Sequence, residues 1–86
     1  MNKPIGHIEA WEHFYKSFRN SIAWQEISFA ERNRLITADR DSRGERSDKS
    51  GKPLHLGFKR VAAMLSKYAP GVYEVIEIRG FIVKEK

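Results

Sequence analysis

Few residues in this sequence are equipped for chemistry. His7, His13 and His55 are the only imidazoles, and there is no cysteine to serve as thiolate, disulfide partner or metal ligand. His7 and His13 stand six apart on a predicted helix and diverge, whereas zinc-binding helices place two histidines four apart. Glu9 and His13 share a helical face, but one carboxylate and one imidazole do not complete a metal site. The acidic cluster of Asp39, Asp41, Glu45 and Asp48 is interleaved with Arg40, Arg43 and Arg46, which neutralise it. Carboxylates in acid–base catalysis need fixed geometry and shifted pKa values, and this stretch promises neither. The serines lack a histidine partner in any local motif, and the six glycines are scattered without a phosphate-cradling pattern. The expectation is a protein that is not an enzyme and needs no cofactor or metal.

Binding chemistry is better represented. Sixteen Lys and Arg against eleven Asp and Glu give +5 and a pI near 9.7. That balance fits DNA or another polyanion as partner. The excess is local: residues 53–70 hold Lys59, Arg60 and Lys67 with no acid, whereas residues 37–52 hold five bases and four acids. With Phe58, Val61, Ala62, Leu65 and Tyr68 turned inward, the outer face of that segment carries Lys59, Ala63, Ser66 and Lys67, with Arg60 at its edge. Cations for phosphates, a hydroxyl for a base edge and a small residue between them are what a helix needs to enter a major groove. An ordinary solvated helix face accounts for the same residues equally well.

The elements that must position these residues follow from spacing. Eighty-six residues and 10.0 kDa make one small domain that buries roughly 60% of its unfolded surface, which leaves room for a protein partner or a homodimer. Ile8, Trp11, Phe14, Tyr15 and Phe18 fall at steps of three and four and predict a first helix between Gly6 and Asn20. Ser28-Phe29-Ala30-Glu31 has capping-box spacing and starts a second helix that runs to about Thr37, with 22–27 as a preceding turn. Residues 38–52 contain no large apolar residue and read as a mobile polar loop, either a solvated linker or a basic arm whose Arg40, Arg43, Arg46, Lys49 and Lys52 lie along phosphates. The third helix spans Phe58–Tyr68 and stops at Ala69-Pro70-Gly71. The β-branched run 72–84 predicts a hairpin turning at Arg79-Gly80, with Ile78 opposite Phe81 and Ile76 opposite Val83. That register puts Val72, Ile76, Ile78, Phe81 and Val83 on one apolar face. A single bent strand bulged at Gly80 is the competing reading.

Helix, helix, loop, helix and a hairpin with arginine at its tip is the element order of a winged helix. Gly51-Lys52-Pro53-Leu54, the Phe58–Leu65 helix, Tyr73-Glu-Val and Arg79-Gly80-Phe81-Ile82-Val83 together resemble the C-terminal winged-helix segment of phage- and poxvirus-type primase–helicases. Trp11, Phe14 and Tyr15 are similar in kind to the aromatic first helix of that segment. The sequence departs from the family at Leu56-Gly57, where a polar cap is usual, and in the longer 38–52 segment. It carries no primase or ATPase motif, so the resemblance implies binding alone, with Lys59, Lys67 and Arg79 facing nucleic acid.

The sequence therefore reads as an α+β domain of winged-helix type that binds DNA without catalysis. Lys59, Arg60, Ser66 and Lys67 lie on its reading helix, Arg79 on the wing, and Arg43, Arg46, Lys49 and Lys52 supply further phosphate contacts. The rival reading is a small phage- or mobile-element-type regulator that docks on a host protein through the hairpin edge or through Trp24 and Tyr73. No apolar run approaches the ~20 residues of a membrane span, and the N-terminus has no secretory pattern, so a cytoplasmic protein is expected.

Overall fold

The computed structural model describes residues 3–84. In chain order the elements are α1 (His7–Arg19), α2 (Ile22–Glu26), α3 (Phe29–Ser42), α4 (Phe58–Tyr68), β1 (Tyr73–Ile76) and β2 (Gly80–Val83). The protein is thus an α+β chain that ends in an antiparallel hairpin. The described residues group into two compact units. One comprises those up to Phe14 with those from Gly57 onward; the other is Tyr15–Leu56.

The first unit holds the opening turns of α1, α4 and the hairpin. Ala10, Trp11 and Phe14 of α1, Val61 and Leu65 of α4, and Phe81 of β2 are its buried apolar residues. The three-and-four spacing that predicts α1 and α4 also places these side chains on inner stripes. Ring contacts mark the packing: Phe58 stacks on Phe81 with centroids 5.1 Å apart, and Phe14 lies 6.4 Å from Tyr68. Tyr73 Oη and His13 Nδ1 are hydrogen bonded at 2.6 Å, which ties β1 to α1. Ile5 exchanges both backbone hydrogen bonds with Phe81, at 2.9 and 2.8 Å, on the edge of β2 away from β1.

The hairpin forms, but in a different register from the one predicted. Tyr73 faces Val83, Glu74 faces Ile82, Val75 faces Phe81 and Ile76 faces Gly80, so the loop is the three residues 77–79. Arg79 N–H donates to the Ile76 carbonyl (3.0 Å), and Arg79 itself adopts a left-handed backbone with φ 59°. This is the second commonest hairpin solution, a turn closed by a left-handed residue. The shift from the predicted pairing is odd, and an odd shift exchanges the two faces of a strand. Ile78 falls within that loop and is 79% exposed at the tip instead of in the core, whereas Phe81 is buried. Gly80 suits the close approach of Ile5 to β2. A Cβ there would lie 3.2 Å from both the Ile5 carbonyl oxygen and Ile76 Cδ1, so a larger residue would push these neighbours back by a few tenths of an ångström.

In the second unit, Tyr15 and Phe18 of α1, Leu35 and Ala38 of α3, and Leu56 are buried. The capping box is formed: Glu31 N–H donates to Ser28 Oγ at 3.1 Å, and Ser28 N–H donates to the Glu31 carboxylate at 3.4 Å. The predicted turn over 22–27 is the short helix α2. Arg32 holds it against the start of α3 by donating from Nε to the Trp24 carbonyl (2.9 Å) and from Nη2 to the Gln25 carbonyl (2.8 Å).

The expected mobile loop over 38–52 is corrected. Helix α3 continues five residues past Thr37 to Ser42, and Ala38, Asp39 and Asp41 are buried on it. Both carboxylates are compensated from just beyond the helix, Asp39 by Arg43 and Asp41 by Arg46, whose Nη1 lies 3.2 Å from each carboxylate oxygen. The rest is a closed turn. Leu54 N–H donates to the Arg46 carbonyl (2.8 Å), Ser47 bridges to Pro53, and the Asp48 carboxylate accepts from the amides of Ser50 (2.8 Å) and Lys52 (3.0 Å). A charge-rich composition signals a solvated chain only when the charges face water, and here they face one another.

Candidate nucleic-acid interface

Helix α4 begins at Phe58 because Gly57, in extended conformation, precedes it, and it has no acidic residue in its first turn. Phe58, Val61, Leu65 and Tyr68 occupy its inner and flanking positions. Lys59, Arg60, Ala63, Ser66 and Lys67 are all exposed. At 100° per residue, Lys59, Ala63, Ser66 and Lys67 fall within an arc of about 100°, and Lys59 and Lys67 stand about 12 Å apart along the axis. Lys67 Nζ lies 5.2 Å above the Tyr68 ring, a cation–π contact that holds its ammonium along the helix end. The helix C-terminus also favours a cation at this position.

Arg79 is exposed in the hairpin loop of the same unit. The Phe58–Phe81 stack joins the first residue of α4 to the second of β2, so Lys59 and Arg79 each lie one or two residues from that contact. The most exposed large apolar residue, Ile78, adjoins Arg79 at the loop. Sequence reasoning placed Ile78 in the core and so missed it as a surface residue. The signal available was the three-residue spacing a left-handed closing residue allows.

The remaining predicted binding residues belong to the other unit. Arg43 ion-pairs with Asp39 and, through Nε at 2.6 Å, with Glu45; Arg40 lies 3.7 Å from Glu45; Arg46 pairs with Asp41. The Arg43 guanidinium is held above its usual range, first by its hydrogen bond to Glu45, which lowers the Glu45 carboxyl in turn. These arginines serve the fold of the segment, with their charge offset by acids. Lys49 and Lys52 are exposed. The Asp48 carboxyl beside them is lowered, chiefly by the Ser50 hydroxyl that donates to it at 2.7 Å and by the Lys52 amide.

Among the described residues no group of three or more His, Asp or Glu is placed to hold a metal ion, and no helix is long and apolar enough to cross a membrane. Trp24, named in the rival reading, is half-buried against Tyr15 and Phe18 (centroids 6.2 and 6.3 Å), with the Arg19 guanidinium 6.0 Å from its ring. Tyr73 is half-buried and engaged with His13. Comparison with models of known protein families, with curated proteins and with solved structures gives no match.

Proposed function

We propose that the protein binds duplex DNA without catalysis, with α4 as the helix that enters the major groove and the β1–β2 hairpin as a wing. The observation that carries this reading is the solvent face of α4: Lys59, Ala63, Ser66 and Lys67 exposed together, Arg60 at the edge, and no acid on the helix. Lys59 and Lys67 engage phosphates on either side of the groove, Ser66 offers a hydroxyl to a base edge, and Ala63 lets the helix axis approach. Exposed Ile78 beside Arg79 suits a hairpin tip that meets a minor groove, where apolar side chains and arginines act together. The order of helices and hairpin along the chain agrees with a winged helix, and the resemblance to the primase–helicase segment points to the same face.

A second reading has its own observation. Val75 and Ile78 are exposed on the hairpin. Tyr73 and Val75 sit at the non-hydrogen-bonded positions of the β1–β2 ladder, so their backbone groups point to the outer edge of β1. An edge strand with exposed apolar side chains is suited to accept a strand from a protein partner. Fluorescence anisotropy with labelled duplex DNA across a salt series separates the two. Binding that weakens steeply with salt supports DNA, and absence of binding at low salt transfers the function to the hairpin edge.

A further inference from the structure

The tip of the β1–β2 hairpin combines two choices that stability alone does not favour. At 79% exposed, Ile78 is the most exposed large apolar side chain among the described residues. Its neighbour Arg79 holds φ 59°, a left-handed backbone that glycine or asparagine adopts more readily. A single exposed apolar residue is ordinary. Beside a left-handed arginine, in a loop of only three residues, it marks a tip shaped for something other than the fold.

The support beneath this tip is firm. Strand β2 is hydrogen bonded on both edges: Phe81 exchanges backbone bonds with Ile5 (2.9 and 2.8 Å), and Gly80 and Ile82 pair with β1. Phe81 is fully buried and stacks on Phe58 of α4 with centroids 5.1 Å apart. On the opposite strand, Tyr73 Oη is hydrogen bonded to His13 of α1 at 2.6 Å. The loop itself is closed by Arg79 N–H, which donates to the Ile76 carbonyl (3.0 Å). An apolar side chain enters a base stack only from a backbone that does not give way, and Ile78 stands on such a backbone.

The charge of the loop narrows what the tip meets. Its remaining residue is Glu77, also exposed, which offsets Arg79. The tip has no net attraction for phosphates, so what it offers beyond the guanidinium is an apolar wedge. We infer that Ile78 inserts at a base step in the minor groove, with Arg79 beside it in the groove, and that the protein bends the duplex there. The inference rests on the DNA reading above and adds a class of substrate to it. That class is duplex with a readily unstacked pyrimidine–purine step at the wing and no guanine amino group in the minor groove. Apolar wedges partly unstack such a step and bend DNA by about 20–90° toward the major groove, the groove assigned to α4.

Energy transfer between dyes at the two ends of short duplexes tests this, with repeated T-A, C-G or C-I steps set in a common sequence. Inosine keeps the major-groove edge of guanine and lacks only its minor-groove amino group, so the last two duplexes isolate the minor groove. At low salt and saturating protein, the parent should raise transfer on the T-A and C-I duplexes but not on C-G. It should also bind the first two about tenfold more tightly. Ile78→Ser should abolish the rise while the slope of log K against log salt keeps its parental value, because no charge is removed. Ile78→Leu should retain the rise. Parent and variants should unfold alike in urea, since the side chain is exposed. Binding without bending, bending unchanged in Ile78→Ser, or equal bending of the C-G duplex overturns the wedge and leaves the DNA reading standing. Absence of binding to every duplex at low salt overturns both, and gives the exposed hairpin to a protein partner.

Discussion

Replacing Arg79 by glycine should improve the fold and impair the function. Arg79 holds φ 59°, the left-handed region, which costs an ordinary L-residue about 1–2 kcal/mol. Glycine adopts that backbone without the Cβ clash but gives back about 0.5–1 kcal/mol through the freedom it gains in the unfolded chain. The net expectation for Arg79→Gly is a gain of about 0.5–1 kcal/mol, or a few degrees in Tm for a domain of this size. Arg79→Asn, which tolerates the same backbone, should gain a smaller amount. On the proposed function the guanidinium at the tip contacts the DNA backbone or minor groove. The stabilised variant should therefore bind duplex DNA more weakly, with the slope of log K against log salt smaller in magnitude by about 0.9 if one phosphate contact is removed. Urea denaturation and anisotropy on the same preparations give both readouts. A loss of stability in Arg79→Gly would show that the side chain supports the fold. A gain in stability with unchanged DNA affinity would remove the hairpin tip from the interface.

Further consequences concern the fold. Arg46→Ala leaves the 2%-exposed Asp41 without its two charge-assisted hydrogen bonds, and because Arg46 is itself partly exposed the cost should be about 2–3 kcal/mol instead of the 3–5 of a fully buried pair. A change below about 0.5 kcal/mol in urea denaturation would return residues 38–46 to an unanchored loop. Trp11→Ala removes a fully buried indole and should cost about 3–5 kcal/mol, a large share of the stability of a chain this long; a parental Tm would place Trp11 on the surface. Burial raises the phenol pKa of both Tyr15 and Tyr73 above the ordinary 10.0. The folded state therefore prefers the neutral phenols, and stability present below about pH 10 is lost as pH rises through the raised values. Tyr73→Phe should flatten that alkaline decline in a series of urea midpoints, whereas an unchanged decline would contradict the raised Tyr73.

The parts of the fold legible in the sequence are those fixed by local periodicity. Trp11, Phe14, Tyr15 and Phe18 announce α1, and Phe58, Val61, Leu65 and Tyr68 announce α4 with the bounds observed. Ser28 and Glu31 announce the start of α3 because the capping box acts within one turn. Its end was hidden. Asp39 and Asp41 are buried through arginines four and five residues ahead, and composition does not distinguish a compensated charge from a solvated one. The D-x-x-x-R and D-x-x-x-x-R spacings were the available signal. The hairpin was legible as a hairpin, but its register was not. Tyr73 and Val75 are apolar on one alternation and Ile76 and Ile78 on the other, so both fit the run, and the pairing observed includes a contact from Ile5, more than seventy residues away in the sequence. On the candidate interface, Lys59, Arg60, Ser66, Lys67 and Arg79 are exposed as expected. The ion pairs of the arginines of 40–46 were hidden for the same reason as the helix end: their partners are acids of their own segment.

The central claim, that the outer face of α4 binds DNA, is tested most directly by salt titration of duplex binding for the parent and for Lys59→Ala combined with Lys67→Ala. Both lysines are exposed, so the double variant should unfold in urea close to the parent. Its affinity should fall, and the slope of log K against log salt should drop in magnitude by about 0.9 for each phosphate contact removed. Glu9→Ala with Glu12→Ala, on exposed positions of α1, should leave binding undiminished. Duplex binding by the double lysine variant equal to the parent at every salt concentration would contradict the account, as would a parent that binds no DNA at low salt.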